Sequence, residues 1–235
     1  GSTGTTAFDP IGEIVEVAER HDVWVHVDAA MAGSALVLPE KRELFAGMEG
    51  ADSISWNPHK WFGTILDCSL MYLRDPDHLI RVMSTNPSYL RSTAGGEATQ
   101  YRDWGIPLGR RFRALKLWYQ LRIDGIESIR SRLRRDLDNA EWLAGQFRDL
   151  PDWEVIAPVR LQTVCLRHTP PGLSGEALDD HTLSWVRAIN TSGSAFLSPS
   201  VLDDRWMVRV SVGVESTERH HLERLIELMQ SAVDA

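Results

Sequence analysis

Apolar residues along the chain change period several times, and each change marks an element. Ile11, Ile14, Val15 and Ala18 recur at helical spacing behind Asp9-Pro10, an N-cap residue followed by proline at the first helical position. This predicts a helix over 10–20. Residues 23–27 alternate with β-branched and aromatic side chains, which predicts a short strand running into Asp28-Ala29-Ala30. Further strands are expected at 53–56, ending in Asn57-Pro58-His59-Lys60, and at 68–73. The gap between those two is too short for a helical crossover, so as neighbours they would be antiparallel. A short helix is expected over 75–83. Leu108, Phe112, Leu115 and Tyr119 open a helical stretch that reaches about Leu150, with a break at Asp124-Gly125.

Beyond Pro151 the pattern becomes mixed. Strands are expected at 153–156, 162–167 and 207–212, and a helix at 178–189. A last helix carries Leu222, Leu225, Ile226, Met229 and Val233 on one stripe. A helix alternating with strands in the first half points to an α/β sheet with parallel members. The last 85 or so residues read as a small α+β unit. Between the halves, residues 84–103 are rich in Ser, Thr, Gly, Asn and Pro. A loop of that length inside a domain is usually functional or disordered.

Composition narrows the function classes. The chain has 235 residues, 43% hydrophobic and 25% charged, which is ordinary for a globular protein. No apolar run approaches the ~20 residues that span a bilayer, and no secretory signal opens the chain. The net charge of −8 does not suggest a nucleic-acid binder. Charge is uneven, however: residues 110–135 hold nine basic and two acidic side chains, and we read them as a salt-bridged helix face. Two cysteines, Cys68 and Cys165, cannot form a disulfide framework, so a reduced, cytoplasmic setting is expected.

No zinc spacing, nucleophile elbow or Walker loop is present. His26 is expected as a packed strand residue and His220-His221 as surface. Asp28 and Lys60 stand apart, because each follows a strand where open α/β sheets place ligand-binding groups. A lysine partly desolvated beside a sheet edge becomes a Schiff-base nucleophile, and a carboxylate can keep a pyridine nitrogen protonated. On those two residues alone, an Asp capping a turn and a Lys on a surface loop is the commoner outcome.

The longer motifs shift that balance. His26-Val27-Asp28-Ala29-Ala30, and Asn57-Pro58-His59-Lys60-Trp61 beyond it, resemble the group II pyridoxal-phosphate-dependent decarboxylases, the aromatic-L-amino-acid decarboxylases above all. Phe8-Asp9-Pro10, Asp67-Cys68-Ser69, Asn86-Pro87-Ser88-Tyr89-Leu90 and the run from Ile106 to Arg113 resemble further family blocks in family order. The resemblance covers essentially the whole chain. It implies an α/β, fold-type I transferase-like architecture: the C-terminal part of a large cofactor domain over 1–105, with a mobile catalytic loop at 84–103, connecting helices over 106–150, and a small α+β domain over 151–235. It also implies that Gly1 lies inside a domain, with about half of a family member upstream.

Roles follow by the same resemblance. Lys60 carries pyridoxal 5'-phosphate as a Schiff base, and Asp28 pairs with its ring nitrogen. Ala30 lies against the ring, Thr3 bonds near the ring edge, and Asn57 and His59 sit on the phosphate side. Tyr89 protonates the carbon that has lost CO2, in a family that works as homodimers. The implied reaction is decarboxylation of an L-amino acid, aromatic by resemblance, to an amine. Met31 and Leu66 depart from the residues many relatives carry near the substrate. The alternatives are an oxygen-using aldehyde synthase, whose members usually carry phenylalanine at the place of Tyr89, and a non-catalytic fragment.

Overall fold

The computed structural model describes residues 1–84 and 99–233. Helix α1 (Ile11–Arg20) leads into β1 (His26–Asp28). Three 3-10 segments (Ala32–Val37, Pro39–Phe45 and Met48–Gly50) then carry the chain to β2 (Ser53–Trp56), β3 (Leu70–Leu73) and α2 (Pro76–Met83). Beyond the undescribed stretch come α3 (Ala114–Ile123), α4 (Ile126–Asp149), β4 (Trp153–Val155), β5 (Thr163–His168), α5 (Gly175–Ser192), β6 (Ser198–Leu202), β7 (Arg205–Ser211) and α6 (Arg219–Val233).

The first sheet has the order β1-β2-β3. Strands β1 and β2 are parallel, with Asp28 opposite Ser55, and β2 and β3 are antiparallel, as the short connection requires. The parallel crossover is made of 3-10 turns rather than an α-helix. Gly33 lets the first of them press on the sheet, since a Cβ there would lie 2.9 Å from the Trp56 ring. The first strand is shorter than its alternation predicts. At Val25 the Asp52 carboxylate, accepting from the Val25 N–H at 2.8 Å, takes the place of a ladder bond. His26 is exposed rather than packed, with Nδ1 2.7 Å from Ser53 Oγ.

Helix starts differ in how their ends are satisfied. In α2, Asp75 caps the Asp77 N–H at 2.9 Å, ahead of Pro76. Helix α1 starts one residue later than expected: Pro10 occupies the cap position, and no side chain among the described residues caps it. The helical spacing seen from Leu108 does not make a helix before Ala114, and Phe112 is 74% exposed. Gly125, at φ +73°, turns the chain between α3 and α4 at the expected break.

The second sheet has the order β4-β5-β7-β6 and is wholly antiparallel. Strand β6 was not evident in the sequence because of Pro199. It lies at the sheet edge, where a missing N–H is tolerated. Asp203 and Asp204, both at positive φ, make the tight turn into β7.

Two apolar cores form, and α4 belongs to both. Its first half gives Ile129 and Leu133 to a core with Leu38, Phe45, Trp61 and Phe62. Its second half gives Leu143, Ala144 and Phe147 to a core with Trp153 and Val164 of the second sheet, Trp185 of α5 and Met229 of α6. Truncating a fully buried phenylalanine such as Phe147 to alanine costs about 3–5 kcal/mol.

Candidate active site

The carboxyl ends of β1 and β2 point the same way because the two strands are parallel. The residues that follow them therefore meet at one edge of the sheet. Asp28 is the last residue of β1 and is exposed. Its Oδ1 accepts from the Ala30 N–H at 2.9 Å and from Ser55 Oγ at 3.3 Å. The other oxygen, Oδ2, has no hydrogen-bond donor among the described residues. The carboxylate is thus held through one oxygen and presents the second. Asp28 and Thr3 line one cleft of about 350 Å³, together with Ser2, Phe8, Asp9 and His26.

The turn after β2 is stitched to the turn after β1. The Asn57 N–H donates to the Ala30 carbonyl at 3.0 Å. Within it, the Lys60 N–H donates to the Asn57 carbonyl at 2.9 Å, the Gly63 N–H to the Lys60 carbonyl at 3.1 Å, and the Thr64 N–H to the Pro58 carbonyl at 3.0 Å. Asn57 Oδ1 accepts from Ser69 Oγ. His59 turns Nδ1 toward the backbone of Cys68, near both its N–H and its carbonyl. Lys60 itself is exposed, and its Nζ has no hydrogen bond or ion pair among the described residues. The partial desolvation expected of it is not supplied by the described part of the chain, because the turn packs Trp61 and Phe62 inward and leaves the amine outside.

The structure therefore brings Thr3 and Asp28 to one cleft, and ties Ala30, Asn57 and Lys60 through backbone bonds beside it. Ala30, Asn57, His59 and Lys60 do not line that cleft. Tyr89 lies outside the described residues. Ser55, the hydroxyl partner of Asp28, was not singled out from sequence, since only the strand register reveals it. Of the two substrate-side departures, Leu66 is 72% exposed and Met31 is half-buried.

Behind the turn the electrostatics are settled by arginines from the basic stretch. Asp67 accepts from Arg113 Nε at 2.9 Å, with Arg111 and Lys116 at 3.5 and 3.8 Å. The Arg113 hydrogen bond holds the Asp67 carboxyl below its ordinary range. Arg134 does the same for Glu40, whose pKa falls to about 2. These basic side chains face acids of the same chain, which is the salt-bridged arrangement expected of them. Arg132 differs in being almost buried. Cys68 and Cys165 are free and buried, and desolvation pushes both thiols up, away from reactivity.

Comparison with known proteins gives consistent relatives. A family model described as "Pyridoxal-dependent decarboxylase conserved domain" matches residues 1–169. Tryptophan decarboxylase 2 of Oryza sativa subsp. japonica is 38% identical over 232 residues, 98% of this chain and 47% of the relative. A phenylacetaldehyde synthase of a Rosa hybrid cultivar is 38% identical over 244 residues, covering 100% and 48%. The crystal structure of Oryza sativa TDC with PLP and tryptamine superposes with a TM-score of 0.94 at 36% identity, covering 100% of this chain and 49% of that one. The chain spans about half the length of the curated relatives it matches.

Proposed function

The chain belongs to the pyridoxal-dependent decarboxylase family, and on that premise we propose that the protein removes the α-carboxylate of an aromatic L-amino acid, yielding the amine and CO2. The cofactor is pyridoxal phosphate. The observation that carries the reading is an oriented carboxylate, Asp28, at the end of β1, together with Lys60 in the turn after the adjacent parallel strand, its amine without a hydrogen bond or ion pair among the described residues. That donor set fits the cofactor: an aldehyde needs a free amine, and a protonated pyridine nitrogen needs an acceptor already held in place. Asp28 Oδ2 offers that acceptor, while Ser55 and the Ala30 N–H keep the carboxylate from turning away.

When bound, pyridoxal phosphate supplies a conjugated ring that takes up the electron pair left on Cα as CO2 departs. In this reading Lys60 Nζ is the amine that would hold the cofactor covalently. Asp28 holds the proton on the ring nitrogen. Thr3 and Ala30 border the ring, and Asn57 and His59 serve the phosphate side. The Tyr89 phenol is the group that would return a proton to Cα.

Lys60 decides the reading experimentally. Borohydride treatment of the loaded protein should fix the cofactor on the peptide holding Lys60, and Lys60→Ala should abolish both the labelling and the visible absorbance. Labelling on another lysine would contradict the assignment. A second reading, an aldehyde synthase, has support in the rose relative; Tyr89 favours the amine. We propose further that the protein is cytoplasmic, in keeping with its free cysteines, and homodimeric. Exposed apolar residues on α3, among them Trp118 and Tyr119, support a dimer, which sedimentation velocity tests.

A further inference from the structure

The residue after Lys60 is a tryptophan turned fully inward. Trp61 is 3% exposed and lies in the core shared by the first sheet and α4. Its indole Nε1 donates at 2.9 Å to Oδ2 of Asp136, which is 0% exposed and lies 75 residues further along the chain. Gly213 packs close to the indole, since a Cβ there would come within 3.1 Å of the ring. Arg132, one helical turn before Asp136, reaches the same carboxylate at 3.5 Å. It also donates from one guanidinium nitrogen to the carbonyls of Trp61 (3.1 Å) and Phe62 (2.8 Å).

This cluster is poorly explained by packing alone. A buried carboxylate is costly unless its lone pairs are all satisfied. Asp136 Oδ1 is buried and has no hydrogen-bond partner among the described residues, and desolvation pushes the group's pKa up. An apolar residue at that position would pack without this penalty. What the carboxylate does provide is direction, since a hydrogen bond to the indole N–H permits only one setting of the ring. The ring is attached to the backbone one residue from Lys60, and Arg132 fixes the two carbonyls that follow.

We propose that Asp136 is a positioning residue for the cofactor lysine: through the Trp61 indole, and with Arg132, it holds the turn in the orientation that presents the Lys60 amine. The proposal rests on the assignment of Lys60 made above. Asp136 is fully buried and acts through Trp61, so its loss should show in how well Lys60 engages pyridoxal phosphate.

The test uses the loaded full-length protein, three single variants and the Trp61→Phe/Asp136→Leu double variant. Asp136→Asn keeps an oxygen that can accept from the indole. Asp136→Leu removes the acceptor but keeps the core apolar, and Trp61→Phe removes the donor. Three quantities are measured: the dissociation constant for pyridoxal phosphate, the visible band of the Lys60-linked cofactor, and the melting temperature of the cofactor-free protein. Asp136→Leu and Trp61→Phe should each weaken cofactor binding about tenfold and shift the band, and the double variant should be no worse than either single one. Asp136→Asn should restore binding to within about threefold. A lower melting temperature with unchanged affinity and band in Asp136→Leu would make the cluster a packing feature and overturn the proposal. So would additive losses in the double variant. Borohydride mapping of the unmutated protein separates the two levels: label on another lysine overturns the Lys60 assignment and this inference with it, whereas label on Lys60 with unaltered variants overturns the inference alone.

Discussion

At the scale of single residues, the geometry of Asp28 carries the most chemistry. One oxygen is pinned by an N–H and a hydroxyl, and the other has no donor among the described residues. A charge-assisted hydrogen bond contributes about 1.5–3 kcal/mol. Asp28→Ala should therefore lower kcat/KM by about 10–100-fold at ~1.4 kcal/mol per decade, with little change in melting temperature. Ser55→Ala removes only a donor that steers the carboxylate and should cost a few-fold at most. Steady-state kinetics on both variants check the order, and equal losses would mean that Ser55 does more than orient Asp28.

At the scale of elements, β5 and α5 are joined by a histidine pair. His168 Nδ1 on β5 lies 2.8 Å from His181 Nε2 on α5, beside the Trp153 ring. One ring must donate and the other accept, so the contact requires that they are not both protonated. Burial lowers the His181 pKa from its ordinary 6.5. As pH falls below that value, the unfolded chain takes up the proton before the folded one, so stability that is complete above 6.5 is lost through the folded pKa. The melting temperature should drop by a few degrees between pH 7.5 and 5.5, and His181→Gln should flatten part of that slope. Parallel pH profiles for the two proteins would remove the pair from the explanation.

At the scale of the whole molecule, the proposed reaction assigns its proton donor to Tyr89, which lies outside the described residues. General acid catalysis contributes about 10²–10⁴-fold. Tyr89→Phe keeps size but removes the donated proton, so amine formation should fall about a hundredfold while CO2 release persists and oxygen diverts the product toward aldehyde and ammonia. Parallel assays of CO2, amine, aldehyde and ammonia in air decide this. Amine produced at the unmutated rate would exclude Tyr89 as the donor, and aldehyde as the main product of the unmutated protein would favour the synthase reading.

Local pattern determined a good deal of this protein. The 3.6-residue spacing of apolar positions located α1, α5 and α6 to within a few residues, and the short gap between β2 and β3 dictated their antiparallel pairing. Asp28 and Lys60 stood out because each follows a strand within a contiguous motif, and motifs are carried by the chain itself. What the tertiary structure alone decided is whatever joins residues far apart. The parallel register sets Ser55 beside Asp28. An edge position lets Pro199 sit in a strand, and the packing of the Lys60 turn leaves its amine exposed while burying Trp61. Asp136 is not distinguished in the sequence, because nothing local marks a carboxylate that meets an indole 75 residues away. Burial and hydrogen-bond partners depend on how elements stack, and the periodicity of a single segment does not contain that information.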